Sequence, residues 1–129
     1  MSLISSPVRA TVAVADIARA AQFYEDVLGL VPQPGGPEFV RIYPCGGGLL
    51  QVYASAHATP SGATVASWSI ADFDRTIDEL RTRGVVFERV DGMEADERGV
   101  HTFAPHQVAW CKDPDGNVLA LDNGRTAPM

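Results

Sequence analysis
The sequence predicts an α+β chain built from two tandem copies of one βαβββ unit. Three observations lead there. The stretch "VAVADIARAAQFYEDVLGLV" (Val12–Val31) lies over "SWSIADFDRTIDELRTRGVVF" (Ser67–Phe87). Asp16 then matches Asp72 and Arg19 matches Arg75 at one offset, and Gly29 matches Gly84 after a one-residue slip. Within each copy the apolar residues alternate, then switch at the aspartate to helical spacing. Near the end, "AWCKDPDGNVLALDN" (Ala109–Asn123) sets Asp113-Pro114-Asp115-Gly116 between two apolar runs. Pro114 presets φ and Gly116 tolerates positive φ, so the segment reads as a hairpin with a stiff turn.

The elements follow in order. Residues up to Val14 alternate as a strand. Asp16 is placed to cap a helix, since its carboxylate can accept from the free N–H groups of the first turn. Ile17, Ala20, Ala21, Tyr24 and Leu28 share one helical face, and Gly29 suits the position just past the helix end. Phe39–Tyr43 and Leu49–Tyr53 read as strands separated by "PCGGG", whose glycines supply positive φ. Ala54–Gly62, "ASAHATPSG", has linker composition. The second copy repeats the order, with a strand to Ile70, Asp72 as cap, a face of Phe73, Thr76, Ile77 and Leu80, and Gly84 as the stop. Val85–Glu88, Val108–Lys112 and Asn117–Asp122 read as strands after it. Val100–Phe103 adds a short one, and Arg89–Gly99 reads as a polar, solvated loop. Residues 1–129 are expected to form a single domain, with module one at about 7–54 and module two at about 63–123.

The bulk composition excludes several classes of function. A chain of 129 residues can bury roughly two-thirds of its unfolded surface. Apolar content of 46% and charged content of 20% are those of an ordinary globular protein. A net charge of −6 argues against nucleic acid as a partner, because phosphate binding needs a basic face. There is no basic amphipathic segment for a membrane surface and no apolar run long enough to cross one. The opening "MSLISSPVRA" lacks the basic and apolar regions of a signal peptide. Two cysteines, Cys45 and Cys111, do not make a disulfide framework, so a cytoplasmic location is expected.

Two motifs carry a family resemblance. "VADIARAAQFYEDVLGL" (Val14–Leu30) and "KDPDGNVLAL" (Lys112–Leu121) resemble those of the vicinal oxygen chelate superfamily. That group includes glyoxalase I, extradiol dioxygenases, fosfomycin-modifying enzymes and bleomycin-binding resistance proteins. The resemblance implies tandem βαβββ modules whose sheets form a cup with the helices outside, and it implies a homodimer. The cup is expected either within one chain or between two.

Metal-dependent members resembling glyoxalase hold a metal through four strand positions, usually His or Glu. Carried onto this sequence, those positions are Arg9, Gln51, Val65 and Ala120. Arginine is cationic at any working pH and cannot ligate. Valine and alanine have no donor atom, and the glutamine amide is a weak one. A shift of one residue in the alignment brings no good ligand to the strand positions. The sequence therefore predicts no metal and no cofactor, and argues against glyoxalase-type catalysis. His57 falls in the linker, while His101 and His106 lie near the last hairpin; a new metal site from these two is an alternative, but a histidine there is more often simply solvated. The chain has no nucleophile elbow, zincin helix, P-loop or dinucleotide fingerprint. Asp113 and Asp115 read as turn-formers rather than as a catalytic pair, and both cysteines as structural.

Strand parity sketches the cup. Arg9, Thr11, Gln51, Tyr53, Val65, Ser67, Ala120 and Asp122 are expected to face inward. Val12, Val14, Val52, Ala66, Trp68, Ile70, Leu119 and Leu121 are expected to face the helices. Trp110 either lines the cup or seals the core. The inward set mixes one cation, an amide and hydroxyls with apolar walls, the composition of a small-molecule pocket. The favoured reading is a metal-independent binder of a small organic molecule, with Arg9 orienting an anionic or carbonyl group. A metal-dependent lyase, isomerase or dioxygenase is one alternative, and a regulatory or interaction module another. A plainer role for Arg9 is to pair with Asp122 and plug the cup.

Overall fold
Val12, Val14, Leu50, Val52, Leu119 and Leu121 are all buried. They occupy alternate positions of three strands, as a sheet face packed on helices requires. A computed structural model describes residues 2–125; Met1 and residues 126–129, counted in the domain from the sequence, lie outside them. The elements are β1 (Ala10–Val14), α1 (Ile17–Ala21), which continues as a π-helical segment (Gln22–Val27), β2 (Val40–Cys45) and β3 (Gly48–Ala54). There follow β4 (Thr64–Ser69), α2 (Phe73–Thr82), β5 (His101–Phe103), β6 (His106–Lys112) and β7 (Val118–Asp122). The first sheet has the order β1-β3-β2 and the second β4-β7-β6-β5. In each, the strand before the helix pairs in parallel with the closing strand, and a hairpin adds the next strand antiparallel. β1 and β4 lie side by side, so the two sheets meet along those strands.

The helices show where the copies diverge. Asp16 is extended, and its Oδ1 accepts from the N–H groups of Ala18 and Arg19 at 2.9 and 3.2 Å. Asp72 does not cap α2. Its backbone sits at φ −104 and ψ 63, and its carboxylate lies 3.8 Å from Arg75 instead. The first helix is not α-helical to its end, because Gln22–Val27 winds as a π-helix. A π-turn accommodates one extra residue in a helix. That residue accounts for the slip between Gly29 and Gly84, both of which end their helices at positive φ, 78 and 97.

Two strand assignments change. Val85–Glu88 forms only a single bridge, Glu88 to Trp110. The neighbouring edge of β6 is already taken by β5 at His106–Val108. Buried Val85 and Phe87 still alternate with exposed Val86, so the pattern that reads as a strand is one of packing. The break "PCGGG" also shrinks. Pro44 and Cys45 belong to β2, and Cys45 pairs with Gly48 across a turn of Gly46 and Gly47.

The turn at Asp113–Asn117 ties module two to module one. Asp113 Oδ1 accepts from the N–H groups of Asp115 and Asn117, each at 2.9 Å. Its Oδ2 accepts from the Asn117 amide at 2.9 Å and from the Tyr24 hydroxyl at 2.8 Å. Asn117 Nδ2 also donates to the Ala13 carbonyl at 2.9 Å. Asp115 Oδ2 accepts from Ala15 N at 2.9 Å, and its other oxygen lies 3.3 Å from Arg19. The two aspartates form the turn, as their residue types suggest, and also clamp it to the start of the first helix.

Candidate functional site
Strand register decides which residues share the sheet face away from the helices. Gln51 on β3 lies beside Thr11 on β1 and Ile42 on β2. In module two, Ala120 on β7 lies beside Ser67 on β4 and Trp110 on β6. The rows correspond, so Gln51 is equivalent to Ala120 and Ile42 to Trp110. The next row holds Tyr53 with Ala13 and Val40, and its counterpart holds Asp122 with Ser69 and Val108. Thr11, Gln51, Tyr53, Ser67, Ala120 and Asp122 thus share one face. Val65 is the extra residue of a bulge between Thr64 and Ala66, without a partner in the ladder. Trp110 alternates with the buried Ala109 and Cys111 and falls in the Ala120 row, which puts it on the same face as the cup residues.

Arg9 stands just before β1, and its Nη1 donates to Gln51 Oε1 at 3.0 Å. The interaction joins two of the four positions carried over from the metal-binding relatives. Among the described residues Arg9 forms no ion pair. Asp122 is not paired with it either, and its Oδ1 accepts from Gly124 N at 2.8 Å. An exposed guanidinium fixed on one side by a neutral amide leaves donors free for an anionic or carbonyl oxygen.

His101 is not a solvated loop histidine. It pairs with Val108 across the β5–β6 ladder and is 0% exposed. Its Nε2 accepts from Val90 N at 3.3 Å, and its ring meets Trp110 edge-on at 5.0 Å between centroids. Nδ1 then carries the hydrogen, and it meets no partner among the described residues. His106 contacts the Arg125 carbonyl at 2.9 Å, and His57 is exposed. Sequence patterning could not foresee the burial of His101, because the strand that carries it is three residues long. Beside Trp110 a cavity of about 430 Å³ is lined by Thr64, Val118, Val90, Lys112 and Glu88, the last two 3.4 Å apart as an ion pair.

The sequence model of the Glyoxalase/Bleomycin resistance protein/Dioxygenase superfamily matches residues 6–121. The chain belongs to this superfamily. Solved structures of the same fold include a glyoxalase/bleomycin resistance protein/dioxygenase from Alicyclobacillus acidocaldarius. It is 17% identical, with 95% of this chain and 93% of that chain covered and a TM-score of 0.67. A glyoxalase/bleomycin resistance protein from Catenulispora acidiphila is 22% identical, with 90% and 96% covered and a TM-score of 0.66. The oxidase ChaP-H1 is 24% identical, with 95% and 96% covered and a TM-score of 0.67. No curated protein sequence matches this chain.

The superfamily's metal does not fit the residues present. Of Arg9, Gln51, Val65 and Ala120, only Gln51 offers a donor atom, and that oxygen is already engaged by the Arg9 cation. Among the described residues no three His, Cys, Asp or Glu side chains converge elsewhere, and cationic or aliphatic groups cannot replace them as ligands. No helix among the described residues is long and apolar enough to cross a membrane.

Proposed function
We propose that this superfamily member binds a small organic molecule on the cup face without a metal, and that Arg9 and Gln51 hold an anionic or carbonyl oxygen of that molecule. The observation that carries the reading is the Arg9–Gln51 hydrogen bond, in which a guanidinium without an acid partner occupies what is a ligand position in metal-binding relatives. Thr11 and Ser67 offer hydroxyls on the same face. Tyr53 and Trp110 offer aromatic surface, which is inexpensive to order because each side chain has few rotatable bonds. Ala120 and Val65 leave room rather than chemistry. Assembly as a homodimer fits the same reading, since symmetric pairs are the commonest oligomers.

The test is a calorimetric screen of small carboxylates and carbonyl compounds, repeated on Arg9→Ala and Gln51→Ala. Saturable binding weakened by about tenfold or more in Arg9→Ala, the loss of one charge-assisted hydrogen bond, supports the reading. Binding indifferent to both substitutions overturns it. Elemental analysis after exposure to Ni²⁺, Zn²⁺, Mn²⁺ and Fe²⁺ tests the metal-dependent alternative. Near-stoichiometric retention would replace the proposed reading with that one.

A further inference from the structure
The clamp at Asp113–Asn117 has a counterpart position in module one, where among the described residues no hydrogen-bonded pair takes its place. Cys45 closes the β2–β3 ladder where Asp113 follows the β6–β7 ladder. Leu80 matches Tyr24 in the repeat, and Arg75 matches Arg19. The matching pair is therefore a thiol and an aliphatic side chain rather than a carboxylate and a hydroxyl. Arg75 turns back to its own helix, 3.2 Å from Glu79 and 3.8 Å from Asp72. Gly46 and Gly47 present no side chain, and a Cβ built on either meets nothing within 4 Å.

A cleft of two adjoining compartments lies at this end. The outer compartment, about 700 Å³, lies between the Pro44–Gly48 turn and Ser67, Trp68 and Ser69. The inner one, about 220 Å³, is walled by Leu28, Ile70, Leu80 and Leu121. Leu30 and Trp68 line both. A fifth of the chain is charged, 20%, yet among the described residues no charged side chain lines either compartment. An ion placed there would lose its hydration without a counter-charge. The polar groups available are two serine hydroxyls and the turn backbone at the outer end and the single Thr76 hydroxyl in the inner compartment.

We propose that this cleft is a second binding site, apart from the Arg9–Gln51 pair though bordering the cup face through Ser67 and Ser69, for a compact neutral molecule with an apolar body and one hydroxyl or carbonyl edge. The body enters the leucine-walled compartment past Trp68, and the polar edge stays at Ser67, Ser69 and the turn. Occupancy would join the modules at the end where the clamp is missing, so binding also stabilises the fold.

Fluorine NMR with para-fluorobenzyl alcohol and para-fluorobenzoate as probes tests this. The alcohol line should broaden saturably while the benzoate line does not. The double variant Cys45→Asp/Leu80→Tyr supplies the missing clamp pair and should abolish the broadening. Thr76→Leu, which adds bulk to the inner compartment, should do the same and stands in if the double variant fails to fold. Arg9→Ala should leave the alcohol response intact, because Arg9 lines neither compartment. Equal broadening of both probes, or broadening unchanged in both variants, overturns the proposal. So does sedimentation showing a wild-type dimer that either variant dissociates, since the cleft would then be an interface between copies.

Discussion

Tyr24 and Asp113 are 89 residues apart in the chain and 2.8 Å apart in space. Their hydrogen bond is buried and joins the first helix to the last hairpin. Burial, followed by the charge of Asp113, holds the Tyr24 hydroxyl well above the usual tyrosine range, so it stays a donor at any working pH. A hydrogen bond to a carboxylate contributes more than one between neutral groups. Tyr24→Phe keeps the ring and removes only the donor, so it should lower stability by about 2 kcal/mol. Arg19→Ala should cost no more than about 0.5 kcal/mol, because that side chain is 52% exposed and its ion pair with Asp115 is screened. Urea unfolding midpoints separate the two. Equal losses would mean that the hydroxyl contributes nothing beyond surface charge.

A second clamp should fail in acid. Arg98 is only 18% exposed and lies 3.0 Å from both Asp74 and Asp96 and 3.6 Å from Asp78, which ties the Arg89–Gly99 loop to α2. Burial alone would raise the Asp96 carboxyl. The hydrogen bonds from Val100 N and from Arg98 outweigh it and hold the group below its ordinary 3.8. A carboxylate depressed in the folded state adds stability above its unfolded value, and that stability is lost as pH falls through the folded one. Protease cleavage within Arg89–Gly99 should therefore rise below about pH 4, ahead of global unfolding. Asp96→Asn should show the raised cleavage already at neutral pH. A cleavage rate in Asp96→Asn no higher than wild type at neutral pH would refute the assignment.

The two thiols should react at very different rates. Cys111 sits in the core, and burial, reinforced by the charges of Asp113 and Glu88, pushes its thiol up to about 12. The thiolate is the reactive form, so at neutral pH Cys111 is both shielded and protonated. Cys45 is half-buried, at the end of β2. Titration with a thiol reagent should consume one cysteine per folded chain and the second only on adding denaturant. A Cys45→Ser variant that still reacts in the folded state would contradict this.

The architecture was legible because it is written twice. The aspartates, arginines and glycines of the repeat mark both helices, and Asp113-Pro114-Asp115-Gly116 marks the last hairpin through local turn chemistry. Parity alone separated Gln51 and Tyr53 from Leu50 and Val52, since a period of two leaves only two faces. What stayed hidden depends on long-range partners. Nothing local distinguishes Asp16, which caps its helix, from Asp72, which turns to Arg75. Nothing local shows that Asp113 accepts from Tyr24 or that His101 is enclosed under Val90. The π-turn was visible only as a slip between Gly29 and Gly84, which gave its length but not its form. At the cup, the residue types at positions 9, 51, 65 and 120 were legible. The contact between Arg9 and Gln51 needed the parallel pairing of β1 with β3.

Gly99 and Gly47 give the sharpest contrast among the glycines. Gly99 is buried at φ +92, and a Cβ there would meet the Phe87 carbonyl oxygen at 2.7 Å and the Phe87 Cβ at 2.9 Å. Both obstacles are rigid, and the left-handed backbone adds its own strain. Gly47 has ordinary φ and open space around it. Gly99→Ala should destabilise by about 2 kcal/mol or more, from overpacking together with the backbone penalty. It should also free Val100 and His101 from their seats, because Gly99 is where the chain turns to enter β5. Gly47→Ala should stay within about 0.5 kcal/mol of wild type. Thermal melts report both costs, and Trp110 fluorescence reports the seat of His101, whose ring it touches. A Gly99→Ala protein with a wild-type melt and unchanged Trp110 emission would mean that the loop can shift away from Phe87 without disturbing β5.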